Sequence, residues 1–128
     1  MNPIDLFESA LAFHPGGAVR AGEPRMTTDD GGWQLAAFRV RTDADVHADH
    51  WEVHPAAEEA VCCLSGGLRV YFRPEEPGGE EEMARLTPGT AVIVPRGRWH
   101  RLELDGPSEV MSIGLRRGSR QERRADAP

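Results

Sequence analysis

Between positions 33 and 115 the chain is a succession of short runs rich in β-branched and aromatic residues, each cut off by a turn signal. The runs cover 33–41, 46–53, 60–64, 68–73, 91–94, 99–104 and 110–115. Between them stand Thr42-Asp43, His54-Pro55, Ser65-Gly66-Gly67, the stretch 74–79, Pro88-Gly89, the stretch 95–97 and Asp105-Gly106-Pro107. Glycine and proline end strands because one reaches left-handed backbone freely and the other has no amide to donate to a ladder. Runs this short and this closely spaced bury an apolar face by packing sheet on sheet or by closing a barrel. No long helical stretch alternates with them, which argues against a parallel α/β sheet. The expected fold is all-β, an antiparallel jelly-roll barrel.

The flanks read differently. Asn2 can cap a helix, Pro3 suits its first position and Asp5 sits where the helix dipole favours an acid. Ile4, Phe7 and Leu11 share a helical face, so residues 2–11 are predicted as a short N-terminal helix. Residues 15–32 hold five Gly and two Pro and are expected as loop. The expected organisation is thus helix and loop over 1–32, barrel over 33–117 and a disordered, Arg-rich tail over 118–128. Residues 75–82 form an acidic hairpin loop. On the last run Met111, Ile113 and Leu115 alternate and are expected to face the core.

Composition narrows the function. All 15 basic residues are arginine. Without lysine there is no Schiff base, no pyridoxal-phosphate anchor and no Walker phosphate loop. The net charge of −6 argues against nucleic acid as a partner, since phosphate binding needs a basic surface. No apolar run approaches the roughly 20 residues that span a bilayer, so no membrane partner is expected. At 128 residues the chain can hold a core without disulfides. Cys62 and Cys63 are strand neighbours pointing to opposite faces, which disfavours a bond between them. That usage and the lack of a basic leader imply a cytoplasmic protein.

Chemistry concentrates around three of the five histidines. Residues two apart on a strand share a face, so His50, Glu52 and His54 point the same way. A tight turn at 55–57 would return Glu59 beside them on the next strand. Pro95 and Gly97 make a second turn that feeds His100 onto another strand. Two such hairpins meeting inside a barrel would bring His54, Glu59 and His100 together. Two imidazoles and a carboxylate are the facial set associated with non-haem iron and similar divalent ions. His14 and His47 read as ordinary polar residues, and Cys63 as a small apolar filler on the cavity side. Arg96, Arg98 and Arg101 flank His100 and form either an exposed turn or a clamp for an anionic substrate.

The spacing Glu52, His54, Glu59, Gly66 resembles the first motif of the cupin superfamily, and Gly89, Pro95, Gly97, His100 resembles the second. The order Trp51-Glu52-Val53-His54-Pro55 followed by an acidic pair is similar to small bacterial single-domain cupins. Val46 replaces the first motif's opening glycine, Leu104 the second motif's closing asparagine, and Glu52 the first histidine of the His-x-His pair. The resemblance implies that His54, Glu59 and His100 bind a metal, with Glu52 ligating by position or His50 supplying an imidazole instead. It implies one divalent transition metal (Fe, Mn, Ni, Co or Zn), a small-molecule substrate or ligand, and a homodimer. Two carboxylates would neutralise a divalent ion, weaken its activation of water, and favour Mn, Fe(II), Co or Ni over Cu. The implied activity is oxygenase, isomerase or cyclase chemistry on an oxygen-chelating molecule. The alternative is a barrel that binds a ligand or senses a metal without turnover.

Overall fold

The computed structural model describes residues 1–28 and 32–126. Its strands are β1 (Ala10–Phe13), β2 (Val19–Gly22), β3 (Trp33–Val40), β4 (His50–Val53), β5 (Glu59–Ser65), β6 (Leu68–Phe72), β7 (Glu82–Leu86), β8 (Thr90–Val94), β9 (His100–Leu104), β10 (Ser108–Leu115) and β11 (Arg120–Arg123). One sheet has the order β2-β1-β3-β10-β5-β8 and the other β11-β4-β9-β6-β7, every pairing antiparallel. Two such sheets face to face are the all-β sandwich that the spacing of the runs implies.

The path between the sheets corrects one expectation. Neither β4 and β5 nor β8 and β9 are hairpin partners. In both cases the chain leaves one sheet and enters the other. The turns at 55–57 and 95–97 are therefore arches across the sandwich. They are tied to each other: the Gly97 amide donates to the His54 carbonyl at 3.0 Å, and Arg96 donates to the carbonyls of Pro55 and Ala56 at 3.0 and 2.6 Å. The acidic loop does close a hairpin, between β6 and β7.

The expected N-terminal helix is absent. Asp5 still accepts from the Phe7 amide at 2.9 Å, and its carbonyl accepts from Glu8 and Ser9, but this makes only one turn. Isolated helices of such length are marginal. Residues 10–13 gain more by pairing, Leu11 opposite Leu35 on β3 and Ala10 opposite Gly22 on β2. Nor is the stretch from 118 without structure: Arg120–Arg123 pair with β4. The run expected from residue 46 starts as a single 3-10 turn at Asp43–Val46, where the Asp45 carboxylate accepts from the Arg41 and Thr42 amides.

The core lies between the sheets and is built from Val40, Val61, Cys63, Leu68, Val70, Phe72, Leu86, Val94, Leu104 and Val110. Burying each larger side chain stabilises the fold by roughly 1.5–3 kcal/mol. On β10 the inward set is Ser108, Val110, Ser112 and Gly114. Met111, Ile113 and Leu115, expected inside, lie half-buried on the outer face. Both sets carry apolar residues, so alternation alone does not fix which parity points in.

Candidate metal centre

Glu52 on β4 stands directly opposite His100 on β9 in one sheet. His54 lies just past the end of β4, held by the arch, and Glu59 opens β5 in the facing sheet. The four side chains each turn one donor atom toward a common point, all within 4.8 Å of one another. His54 Nε2 is 3.1 Å from Glu52 Oε1 and 3.1 Å from Glu59 Oε2. His100 Nε2 is 3.2 Å from Glu59 Oε1 and 3.9 Å from Glu52 Oε1. His54, Glu59 and His100 are each 3% exposed, while the Glu52 side chain is 20% exposed.

The outer edges of the imidazoles are pinned. His100 Nδ1 lies 3.2 Å from the Arg98 carbonyl. A carbonyl only accepts, so Nδ1 carries the proton and Nε2 of the neutral ring keeps its lone pair for the centre. His54 Nδ1 sits 2.7 Å from Ser119 Oγ, a hydroxyl that can accept the same way. His54 Nε2 is fully buried yet makes no hydrogen bond of acceptable angle, despite two carboxylate oxygens at 3.1 Å. A nitrogen aimed between two carboxylates rather than at either is what a shared cation would require. The donor set, two neutral imidazoles and two carboxylates, suits a divalent transition ion.

Electrostatics agree with that crowding. Burial opposes a charged His54, but the Glu52 and Glu59 carboxylates outweigh it and raise its pKa to about 9. Burial would raise Glu59, but the His100 and His54 imidazoles beside its oxygens and the Arg116 cation hold it far below the usual carboxylate range. Glu52 is lowered for the same kind of reason, His54 and Arg116 overcoming its desolvation.

Two neighbours escape a reading of the sequence. Arg116, directly after β10, is 6% exposed and lies between the acids, its Nη1 3.5 Å from Glu52 and its Nη2 3.2 Å from Glu59. Nη2 also donates to Ser112 Oγ at 2.9 Å. The only available signal was parity, since Arg116 continues the inward series of Ser112 and Gly114. Gly114 is the second: it lies against Glu59, close enough that a Cβ there would be in van der Waals contact with the Glu59 side chain.

His50 does not join the cluster. It pairs with Asp49 at 2.8 Å and stands in the cavity wall. The arginines around His100 are engaged by groups of the protein itself. Arg96 latches the arches, while Arg98 donates to the Arg73 carbonyl and sits 3.7 Å from both Glu75 and Glu82. Arg101 pairs with Glu81 and Glu103 beneath Trp51 and Tyr71. Cys63 is buried in the core, not in the cavity wall. The cavity itself is about 160 Å³, with Phe38, Val40, Val46, Val61, Leu102 and Val110 among its lining and Glu52, Glu59, His100 and Arg116 in its wall.

Residues 38–114 match the family model of the cupin domain, more than half of the chain. The chain belongs to the cupin domain family. No curated relative matches the sequence. Among solved structures this cupin resembles a cupin-2 domain containing protein from Shewanella frigidimarina NCIMB 400, at 20% identity and TM-score 0.52, over 73% of this chain and 80% of that one. It also resembles hydroxypropylphosphonic acid epoxidase from S. wedmorenis in complex with fosfomycin, at 17% identity and TM-score 0.50, over 65% of this chain. A third is Fe(II) HppE in complex with substrate, at 18% identity and TM-score 0.51. This cupin spans less than half of the last two chains, 43% and 45%. Among the described residues no helix is long and apolar enough to cross a membrane.

Proposed function

We propose that this cupin holds one divalent transition metal on Glu52, His54, Glu59 and His100 and acts on a small oxygen-chelating molecule in the adjoining cavity. The observation that carries the reading is the convergence of four donor atoms within 4.8 Å, with Glu52, Glu59 and His100 in the wall of a small cavity. Glu52 is the fourth ligand in this reading, and His50 is not. When bound, such an ion supplies Lewis acidity and a place for substrate oxygens. The chain's own residues do the rest. The Arg98 carbonyl and Ser119 orient the imidazoles, Arg116 pairs with Glu59, and apolar side chains such as Val61 and Val110 share the cavity wall with the ligands. A cavity of about 160 Å³ matches the engineered hole that takes up benzene, so the substrate is a small molecule rather than a polymer.

Oxygenase, isomerase or cyclase chemistry all begin from a chelated oxygen ligand, and the reading extends to that group. It includes a cytoplasmic homodimer. The outer face of the six-stranded sheet supports the dimer: Leu11, Leu35, Ile113, Ala60 and Ile93 stand in one cross-strand row, and Ile93 is 56% exposed.

Metal analysis of untagged protein tests the centre. Wild type is expected to carry or rebind stoichiometric divalent ion, and His54→Ala and His100→Ala to lose it while remaining folded. Failure of wild type to bind any divalent ion overturns the reading. Dioxygen uptake by Fe(II)-loaded protein across diketones, catechols and short oxo and hydroxy acids then tests turnover. Metal retention with ligand binding but no turnover on any substrate would make it a binding module.

A further inference from the structure

Arg116 is a buried cation that the metal centre does not need as a ligand. Its guanidinium lies in the cavity wall, 6% exposed, and its five N–H groups are mostly uncommitted. Ser112 takes one from Nη2 at 2.9 Å. The contacts to Glu59 at 3.2 Å and Glu52 at 3.5 Å are ion pairs, not aligned hydrogen bonds. Nε is buried with no partner among the described residues. Held by one hydroxyl and two acids rather than by a full set of aligned hydrogen bonds, the guanidinium keeps N–H groups that can receive a charged oxygen from the cavity.

Charge makes the same argument independently. With a divalent ion in place, the carboxylates of Glu52 and Glu59 cancel it and the neutral imidazoles add nothing. The Arg116 charge is then left over, 6% exposed in a cavity wall where apolar and polar side chains mix and the further acid, Asp45, accepts from the Arg41 and Thr42 amides. In such surroundings an unbalanced charge is expensive and draws in a counter-ion.

Resting on the metal reading above, we propose that Arg116 selects the substrate: the site takes a small monoanionic acid whose negative oxygen is received by the Arg116 guanidinium while its other oxygen faces the metal ligands. Ser112 and Glu59 hold the guanidinium in place for this task, and the cavity volume restricts the acid to a few heavy atoms. The substrate class is therefore a short oxo or hydroxy carboxylate or a comparable monoanion, not a neutral diketone or catechol.

The test uses Co(II)-loaded full-length protein, with pyruvate as the anionic probe and pyruvamide as its neutral counterpart, read by calorimetry and by the Co(II) visible spectrum. Wild type is expected to bind pyruvate at least about tenfold more tightly than pyruvamide, the scale of one charged hydrogen bond. Arg116→Gln is expected to keep its metal and bind both probes equally, while Arg116→Lys regains part of the preference. Equal binding of the two probes by loaded wild type, or an unchanged preference in Arg116→Gln, overturns the inference and leaves the metal centre standing. Loss of metal from Arg116→Gln, regained in Arg116→Lys without any anion preference, also overturns it, because Arg116 would then only align the acids. A wild type that takes up no Co(II) fails earlier, at the metal reading itself.

Discussion

Ser119 shows how much a single hydroxyl can matter here. It lies at 2.7 Å from His54 Nδ1 and, among the described residues, is the hydrogen-bond partner on that side of the ring. Groups that orient a metal-binding imidazole typically account for 10–100-fold in metal affinity. Ser119→Ala is accordingly expected to weaken metal binding by about tenfold or more in competition with a chelating dye, with little change in thermal stability. Undiminished affinity would mean that the arch alone positions His54. Spacing pointed to His54, Glu59 and His100 as a group, because residues two apart on a strand share a face and the Pro95-x-Gly97 turn feeds His100 onto a strand, but it left the fourth place open between Glu52 and His50. Arg116 was not legible. It is one of 15 arginines, and nothing local separates it from its exposed neighbour Arg117.

At the scale of elements, the crossing from β5 to β6 depends on Gly66. Its φ of +78° lies in the left-handed region, and an added Cβ would lie 2.4 Å from the Pro107 carbonyl and 2.8 Å from Ser108 Cα. Those are backbone atoms of the β9–β10 turn and cannot move aside cheaply. Gly66→Ala is therefore expected to cost at least about 2 kcal/mol, the sum of left-handed strain and a backbone clash. A urea denaturation midpoint indistinguishable from wild type would contradict this. The glycine was visible in the sequence as a turn signal. That the turn leads into a different sheet was not, because Ser65-Gly66-Gly67 would serve a hairpin equally well. The strands at 10–13 and 120–123 were missed for a related reason. Each is four residues long and lives on its partner's ladder, β3 and β4, rather than on its own apolar pattern.

For the whole molecule, the centre couples pH to stability. In the metal-free chain His54 has its pKa raised from 6.5 to about 9 by the two acids. A raised pKa stabilises the fold fully below the unfolded value, and that contribution fades as pH climbs from about 6.5 to about 9. Glu59 and Glu52 are lowered, so their contribution is complete above about 4.5 and disappears as pH falls. Chelator-treated protein should thus be most stable between roughly pH 5 and 6.5. In the metal-loaded protein the ion takes the place of the His54 proton, and the alkaline limb should flatten. Urea midpoints measured against pH, with and without metal, check this. An alkaline limb of equal size in both states would show that it arises elsewhere.

What the sequence settled by itself is whatever depends on near neighbours: β-forming runs, their turns, and therefore an all-β domain with Glu52, His54, Glu59 and His100 at motif spacing. Those features rest on backbone sterics and on the period of two, which act within a few residues. Tertiary structure decided the rest. It chose which sheet each strand joins, which parity of β10 faces inward, and that residues 10–13 pair rather than coil. It also brought Arg116 against Glu59, 57 positions away in the chain. Each of these choices is made by a partner distant in sequence, through ladder hydrogen bonds, burial and charge that exist only once the two sheets have closed on each other.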